Sequence, residues 1–319
     1  MNKLTASIVI TTKDRKEDLA GAIESSLHQK GEPEIFVFDD DSDDGTSDFI
    51  RAAYPAVKLH REEHSSGLIA ARNKAASMAT GDIIFSIDDD AAFSDDTIVE
   101  EILNNFTSPR IGAVAIPHID INRSPNLLHQ PPDDTTPYIT SEFTGTAHAL
   151  RKDIFLRLNG YRNYFFRQCE EMDYCIRMLN LGYYVRLGTS KPIIHYESPK
   201  RDQAAIKFYA ARNNVLFTLQ NVPRTCLFFH MAVNMFNLIR HHEGYLIPVS
   251  KGILTGLKDF FQNKNIVRSP VNREAYHLFR EMRKKQAIAL SEAPFFPDER
   301  RKHPGQRRTD DDFPVRLGM

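Results

Sequence analysis

Over the first 117 residues, short β-branched apolar runs alternate with segments whose apolar residues recur every third or fourth position. The runs at 6–11, 34–41, 57–62, 83–87 and 111–117 read as strands. The segments at 17–29, 44–54, 67–81 and 95–106 read as helices. In the first helix the expected apolar stripe is Leu19, Ile23 and Leu27. Strands that alternate with helices give an α/β protein, a Rossmann-like and mostly parallel central sheet with helices on both faces. Ligands of such sheets bind at the carboxyl ends of the strands.

Those ends carry polar groups here. The first run stops at Thr11 and Thr12, the second at Asp39, Asp40 and Asp41, and the fourth, "GDIIFSIDDD", at Asp88, Asp89 and Asp90. Carboxylates crowded at the tip of a core strand repel one another and resist desolvation. A divalent cation removes that repulsion, and Mg²⁺ and Mn²⁺ favour carboxylates together with diphosphate oxygens. An acidic turn that caps the next helix accounts equally well for either cluster. Arg72 suits phosphate or one of the aspartates, and His195 closes the strand "PIIHYE". Glu170, Glu171 and Asp173 open an amphipathic helix at 170–182, where the helix dipole favours carboxylates and where one facing a cleft can serve as a general base. Residues 118–140, rich in Pro, Asn, Asp and His, read as a loop excursion.

The absences narrow the field. No G-x-G-x-x-G follows a strand, and there is neither a P-loop nor a G-x-S-x-G elbow. Three cysteines without CxxC spacing argue against a disulfide framework and suit a reducing compartment. A net charge of −1 gives no overall field toward nucleic acid. No stretch has the roughly 20 apolar residues of a membrane span, so the expectation is a cytoplasmic protein.

Several blocks, in order and spanning about residues 5–217, resemble the family 2 glycosyltransferases, inverting enzymes of the GT-A fold. They are "SIVITTKDR", "VFDDDSDDGT", "GLIAARNKAASMATGDIIFSIDDD" and "TGTAHALRKDIFLRLNGYRNYFFRQCEEMDYCIRMLNLGYYV". The resemblance implies transfer from a nucleoside-diphosphate sugar to an acceptor hydroxyl, with Mn²⁺ or Mg²⁺ as cofactor. Thr11, Lys13, Asp40, Arg72 and Asp89 would contact the nucleotide, and Asp88, Asp90 and His195 the metal. Glu171 would be the base, with Glu170 and Tyr161 on the acceptor side. The family's acidic residue after D-x-D is Ala91 here, and the chain has no tryptophan, so Tyr161, Tyr164 and Phe165 would stack on the acceptor. The implied partners are a UDP, GDP or dTDP sugar and a glycan or lipid-linked glycan, in polysaccharide or glycoconjugate synthesis. A sugar nucleotidyltransferase would need a Gly-rich phosphate loop after the first strand, which "TTKDRKEDLAG" lacks. A non-catalytic scaffold on a degenerate version of the fold stays open.

The expected organisation is a catalytic domain over 1–221, a helical extension over 222–290 and a disordered tail over 291–319. The run "CLFFHMAVNMFNLI" in the extension suits packing onto the catalytic domain, or peripheral contact with the inner face of a membrane.

Overall fold

The computed structural model describes residues 3–197, 202–240 and 244–294. Beyond residue 294, the tail expected to be disordered lies outside the described residues.

The chain opens with β1 (Ala6–Thr12), α1 (Lys16–Leu27), β2 (Glu34–Asp39), α2 (Thr46–Ala53), β3 (Lys58–Arg61), α3 (Leu68–Met78) and β4 (Ile83–Asp88). These four strands lie side by side in the order β4-β1-β2-β3, all parallel. β1, β2 and β4 are buried almost throughout, and their successive side chains point to opposite faces of the sheet. Ile8, Ile10, Val37 and Phe85 face one apolar cluster, while Val9, Phe36, Phe38 and Ile84 face another on the opposite side. Helix α1 buries Leu19, Ala22, Ile23 and Ser26, and Leu27 is exposed. A stripe of strict four-residue spacing drifts off a helix of 3.6 residues per turn, so Ser26 takes the place expected for Leu27.

After β4 the chain leaves this sheet. β5 (Ala91–Phe93) begins a second, smaller one, α4 (Ile98–Asn104) covers the core, and β6 (Ile111–Ala115) returns to the large sheet. The excursion at 118–140 is not all loop. It holds β7 (His118–Asp120), β8 (Leu127–Leu128) and β9 (Tyr138–Thr140), each too short and too interrupted by polar residues to show a period. β10 (Ala147–Arg151) runs antiparallel between β4 and β6, and leads into α5 (Lys152–Arg157). Then follow α6 (Glu170–Asn180), β11 (Tyr184–Leu187) and β12 (Ile193–His195). β12 pairs with both β5 and β7, so the small sheet runs β5-β12-β7-β8.

Four more helices, α7 (Gln203–Asn221), α8 (Arg224–Arg240), α9 (Leu246–Gln262) and α10 (Arg273–Lys285), lead to β13 (Ile288–Ala289). β13 pairs with β9 and completes a 9-stranded sheet, β13-β9-β11-β6-β10-β4-β1-β2-β3, in which β9 and β10 run against the rest. Phe279 and Met282 of α10 share the apolar cluster of β1, so 273–289 belongs to the same body as the first strands.

Candidate active site

A cleft of about 840 Å³ opens at the carboxyl ends of β1, β2 and β4. Parallel pairing sets Thr11 beside Asp88, which brings the end of β1 to the acidic triplet. Thr12 Oγ1 donates to Asp89 at 2.8 Å. Arg15, in the loop after β1, lies 3.3 Å from Asp89 and 2.8 Å from Asp90. Burial pushes the Asp89 carboxyl up to about 7, against the opposing charge of Arg15. Burial acts the same way on Asp90, but its hydrogen bond to His195 and the Arg15 charge prevail and hold it well below the usual carboxylate range. Sequence reasoning took Thr11 and Lys13 from this loop and missed Arg15. The spacing of β1 to α1, which turns the loop back over the strand ends, was the available signal.

The small sheet delivers His195. Pairing sets it opposite Ala91 on one side and Asp120 on the other. Its Nδ1 hydrogen-bonds the Asp120 carboxylate, and its Nε2 lies 3.1 Å from Asp90. Burial disfavours the imidazolium, but Asp90, Asp88 and Asp120 outweigh it and push the ring up to about 9. One ligand atom each from Asp88, Asp90 and His195 lies within 4.8 Å of the others. Two carboxylates and an imidazole whose far nitrogen is fixed by a carboxylate form a donor set that fits Mn²⁺, and Mg²⁺ less well.

On the opposite wall stand Glu170 and Glu171, at the start of α6. The loop before them is wound tightly, with φ of +64° at Phe166, +70° at Gln168 and +69° at Cys169. Asn213 of α7, fully buried, holds it open: its amide contacts the carbonyls of Phe165, Arg167 and Gln168 at 2.7–2.9 Å. Asp173 is structural, locked between Arg162 and Arg177. Arg72, on α3, joins the two walls. It pairs with Asp88 and lies 3.6 Å from Glu170 and 3.8 Å from Glu171. Burial, reinforced by the charge of Glu170 and opposed by Arg72, lifts Glu171 well above the ordinary glutamate range, and burial lifts Glu170 too.

Two of the expected site residues have other partners in this structure. Asp40 lines the cleft, but its carboxylate accepts from Ser65 Oγ, both the backbone N–H and Oγ of Ser66, and the Gly67 N–H. Those four donors make it the anchor of the turn into α3. Tyr161 is not among the residues that line the cleft. It is buried, with its hydroxyl on His148 and its ring against Phe155 and Tyr174. Phe165 is likewise core, and the Tyr164 hydroxyl accepts from Gln220. The aromatic at the rim is Phe166, 53% exposed and in contact with Tyr209. Its neighbours in "YFF" hide it in the sequence, because only the positive φ turns it outward.

Residues 7–172 match the model of Glycosyl transferase family 2. The chain belongs to that family of glycosyl-transferring enzymes. A glucosyl-dolichyl phosphate glucuronosyltransferase of Haloferax volcanii is 25% identical over 202 residues, 55% of this chain and 63% of that protein. The chain thus spans less than two thirds of that relative. Among solved structures, a mannosyltransferase of Pyrobaculum calidifontis, PcManGT, in complex with GDP-Man and Mn²⁺, superposes with a TM-score of 0.56 at 17% identity, covering 89% of this chain and 81% of that one. The S. aureus TarS 1–349 structure with UDP gives 0.58 at 14%, covering 88% of each chain. The fold of this family member is accordingly the GT-A fold that its sequence blocks resemble.

Proposed function

We propose that this family member moves a sugar from a nucleoside-diphosphate donor to an acceptor hydroxyl, with inversion at the anomeric carbon and with Mn²⁺ or Mg²⁺ bound. One observation carries the reading: a three-ligand metal set and a buried carboxylate pair face each other across a single cleft, joined by Arg72. Asp88, Asp90 and His195 would hold the cation, which when bound offsets negative charge on the departing diphosphate. Thr11, Lys13 and Asp89 line the donor half, and Arg15 adds a fixed positive charge there. Glu171, with 19% of its side chain exposed, takes the proton of the acceptor hydroxyl, while the more enclosed Glu170 tunes it. The acceptor oxygen bonds to the anomeric carbon from the face opposite the diphosphate. The bond to the diphosphate oxygen breaks, and its electron pair leaves with the nucleotide. Because attack and departure are in line, a single displacement inverts the centre.

The named relatives support a UDP or GDP donor, with dTDP as the further candidate, and a glycan or lipid-linked glycan as acceptor. The product would then belong to polysaccharide or glycoconjugate synthesis. Calorimetric titration of UDP, GDP and dTDP, each with and without Mn²⁺, tests the reading on wild type and Asp90→Ala. Metal-dependent binding of one nucleotide, lost in the variant, is the expected result. Failure of all three to bind would sink it.

A further inference from the structure

Helix α9 packs on α7 through Val249, Gly252, Ile253 and Gly256. The contact is close: a Cβ added at Gly252 would meet the Phe208 carbonyl oxygen at 2.3 Å, and one at Gly256 the Arg212 carbonyl at 2.6 Å. The helix is therefore fixed in rotation, and its outer face is defined. That face carries Ile247, Lys251, Leu254, Lys258 and Phe261, at spacings of four and three residues that form a single stripe. Its apolar members are 71%, 67% and 78% exposed. On α8, Phe228 and Phe229 are also largely exposed. Large side chains left in water along a helix, with lysines set between them, are not the surface of a helix that needs only to be soluble.

We infer that the outer face of α9 is a docking surface for an anionic lipid bilayer. The lysines choose the occupant. Between 244 and 270 the described residues include one carboxylate, Asp259, and it is tied to Arg212 at 2.7 Å. Lys251, Lys258 and Lys264 are all exposed there. A second copy stacked stripe to stripe would set lysine against lysine with no carboxylate between them. A bilayer carrying anionic headgroups takes the same face without conflict. Ile247, Leu254 and Phe261 enter the acyl boundary while the lysine stems extend along it and their ammonium groups reach the headgroups. No helix among the described residues is long and apolar enough to cross a membrane, so the contact is one of surface binding. It also has a consequence for the site: α7, pinned to α9, carries the Asn213 that holds the loop of Glu171.

The test is flotation of the full chain with phosphatidylcholine vesicles, with and without phosphatidylglycerol, at low and high salt. Two variants accompany it, Lys251→Glu with Lys258→Glu, and Leu254→Ser with Phe261→Ser. All four positions face solvent, so the thermal midpoint should hold, and nucleotide titration without vesicles reads the cleft separately. Wild type should float with the anionic vesicles and release at high salt. The charge variant should lose about 25-fold or more in partition coefficient, a factor of about five for each lysine removed from the surface. The apolar variant should lose roughly tenfold or more. Absence of flotation, flotation unchanged in both variants, or a dimer in solution that both variants dissociate without any vesicle binding would each overturn the proposal.

Discussion

Replacing Arg72 by methionine should turn the centre of the cleft from a neutralised cluster into a self-repelling one. Arg72 is 7% exposed and faces Asp88, Glu170 and Glu171, of which Glu170 is buried and Glu171 nearly so. Methionine keeps most of the volume and removes the charge. Breaking a buried ion pair by deleting one partner costs about 3–5 kcal/mol. In a chain of this size, at about 2 °C per kcal/mol, that is a fall of roughly 6–10 °C in melting temperature near pH 8. The pH dependence has a definite sign. Both glutamates already sit above their ordinary value, and the opposing cation is what Arg72 supplies. Without it the folded state holds its protons to still higher pH than the unfolded chain does, so stability falls as pH rises. The deficit of Arg72→Met should therefore be largest near pH 8 and shrink toward pH 6. Melting followed by scanning calorimetry at both pH values is the assay. A variant within about 2 °C of wild type at the higher pH, or one whose deficit does not change with pH, would refute the view that Arg72 neutralises this cluster.

Gly145 lies on the cleft wall, where an added Cβ would sit 2.5 Å from Glu171 Oε1 and 3.0 Å from Arg72 Nη1. Gly145→Ala should displace Glu171, the proposed base, by about 1 Å and lower kcat about 100-fold with little change in donor KM, read by nucleoside-diphosphate release. Asp120→Asn should weaken Mn²⁺ binding about 10- to 100-fold, measured by the free-ion signal in electron paramagnetic resonance, because the carboxylate that orients His195 is lost. Glu34 ties β1, β3 and the turn before β4 together through Ser7, Lys58 and Thr80. Burial opposes its ionisation, but these hydrogen bonds prevail and hold its carboxyl down to about 2. Its stabilisation is complete above the ordinary glutamate value and is lost as pH falls toward 2. Glu34→Gln should cost about 1–2 kcal/mol at neutral pH, after allowance for solvent screening, and leave the acid limb of the stability curve flatter.

The half of the molecule built from consecutive βα units was legible because β1, β2 and β4 are buried on both faces and the helices between them on one. Periods of that kind survive in a bare sequence, and Asp88–Asp90 and Glu170–Glu171 could be placed from them. What escaped was set by contacts distant in the chain. Asp40 looked free because its four donors lie 25 to 27 residues away. Tyr161 looked like a sugar platform because nothing nearby in sequence shows that His148 and Tyr174 enclose it. Asn213 holds the most strained loop of the site through carbonyls 45 to 48 residues away in the chain.

Ala91 shows how a departure from a sequence pattern is resolved in three dimensions. Directly opposed residues in adjacent strands point their side chains to the same face, and His195 is opposed by Ala91 in β5 and by Asp120 in β7. The chain crosses from the large sheet to the small one between Asp88 and Ala91, so whatever stands at 91 abuts the imidazole. A carboxylate there would compete with the ring for a site where Ala91 is only 2% exposed, and it would lack a donor once Nε2 faces Asp90. Asp120 reaches Nδ1 from the other side and leaves Nε2 aimed at Asp90 and Asp88. The acidic residue missing after the triplet is thus replaced by one contributed from the next strand of the small sheet. A small residue at 91 leaves room for the imidazole to reach Asp90, which makes the alanine compatible with the proposed metal centre.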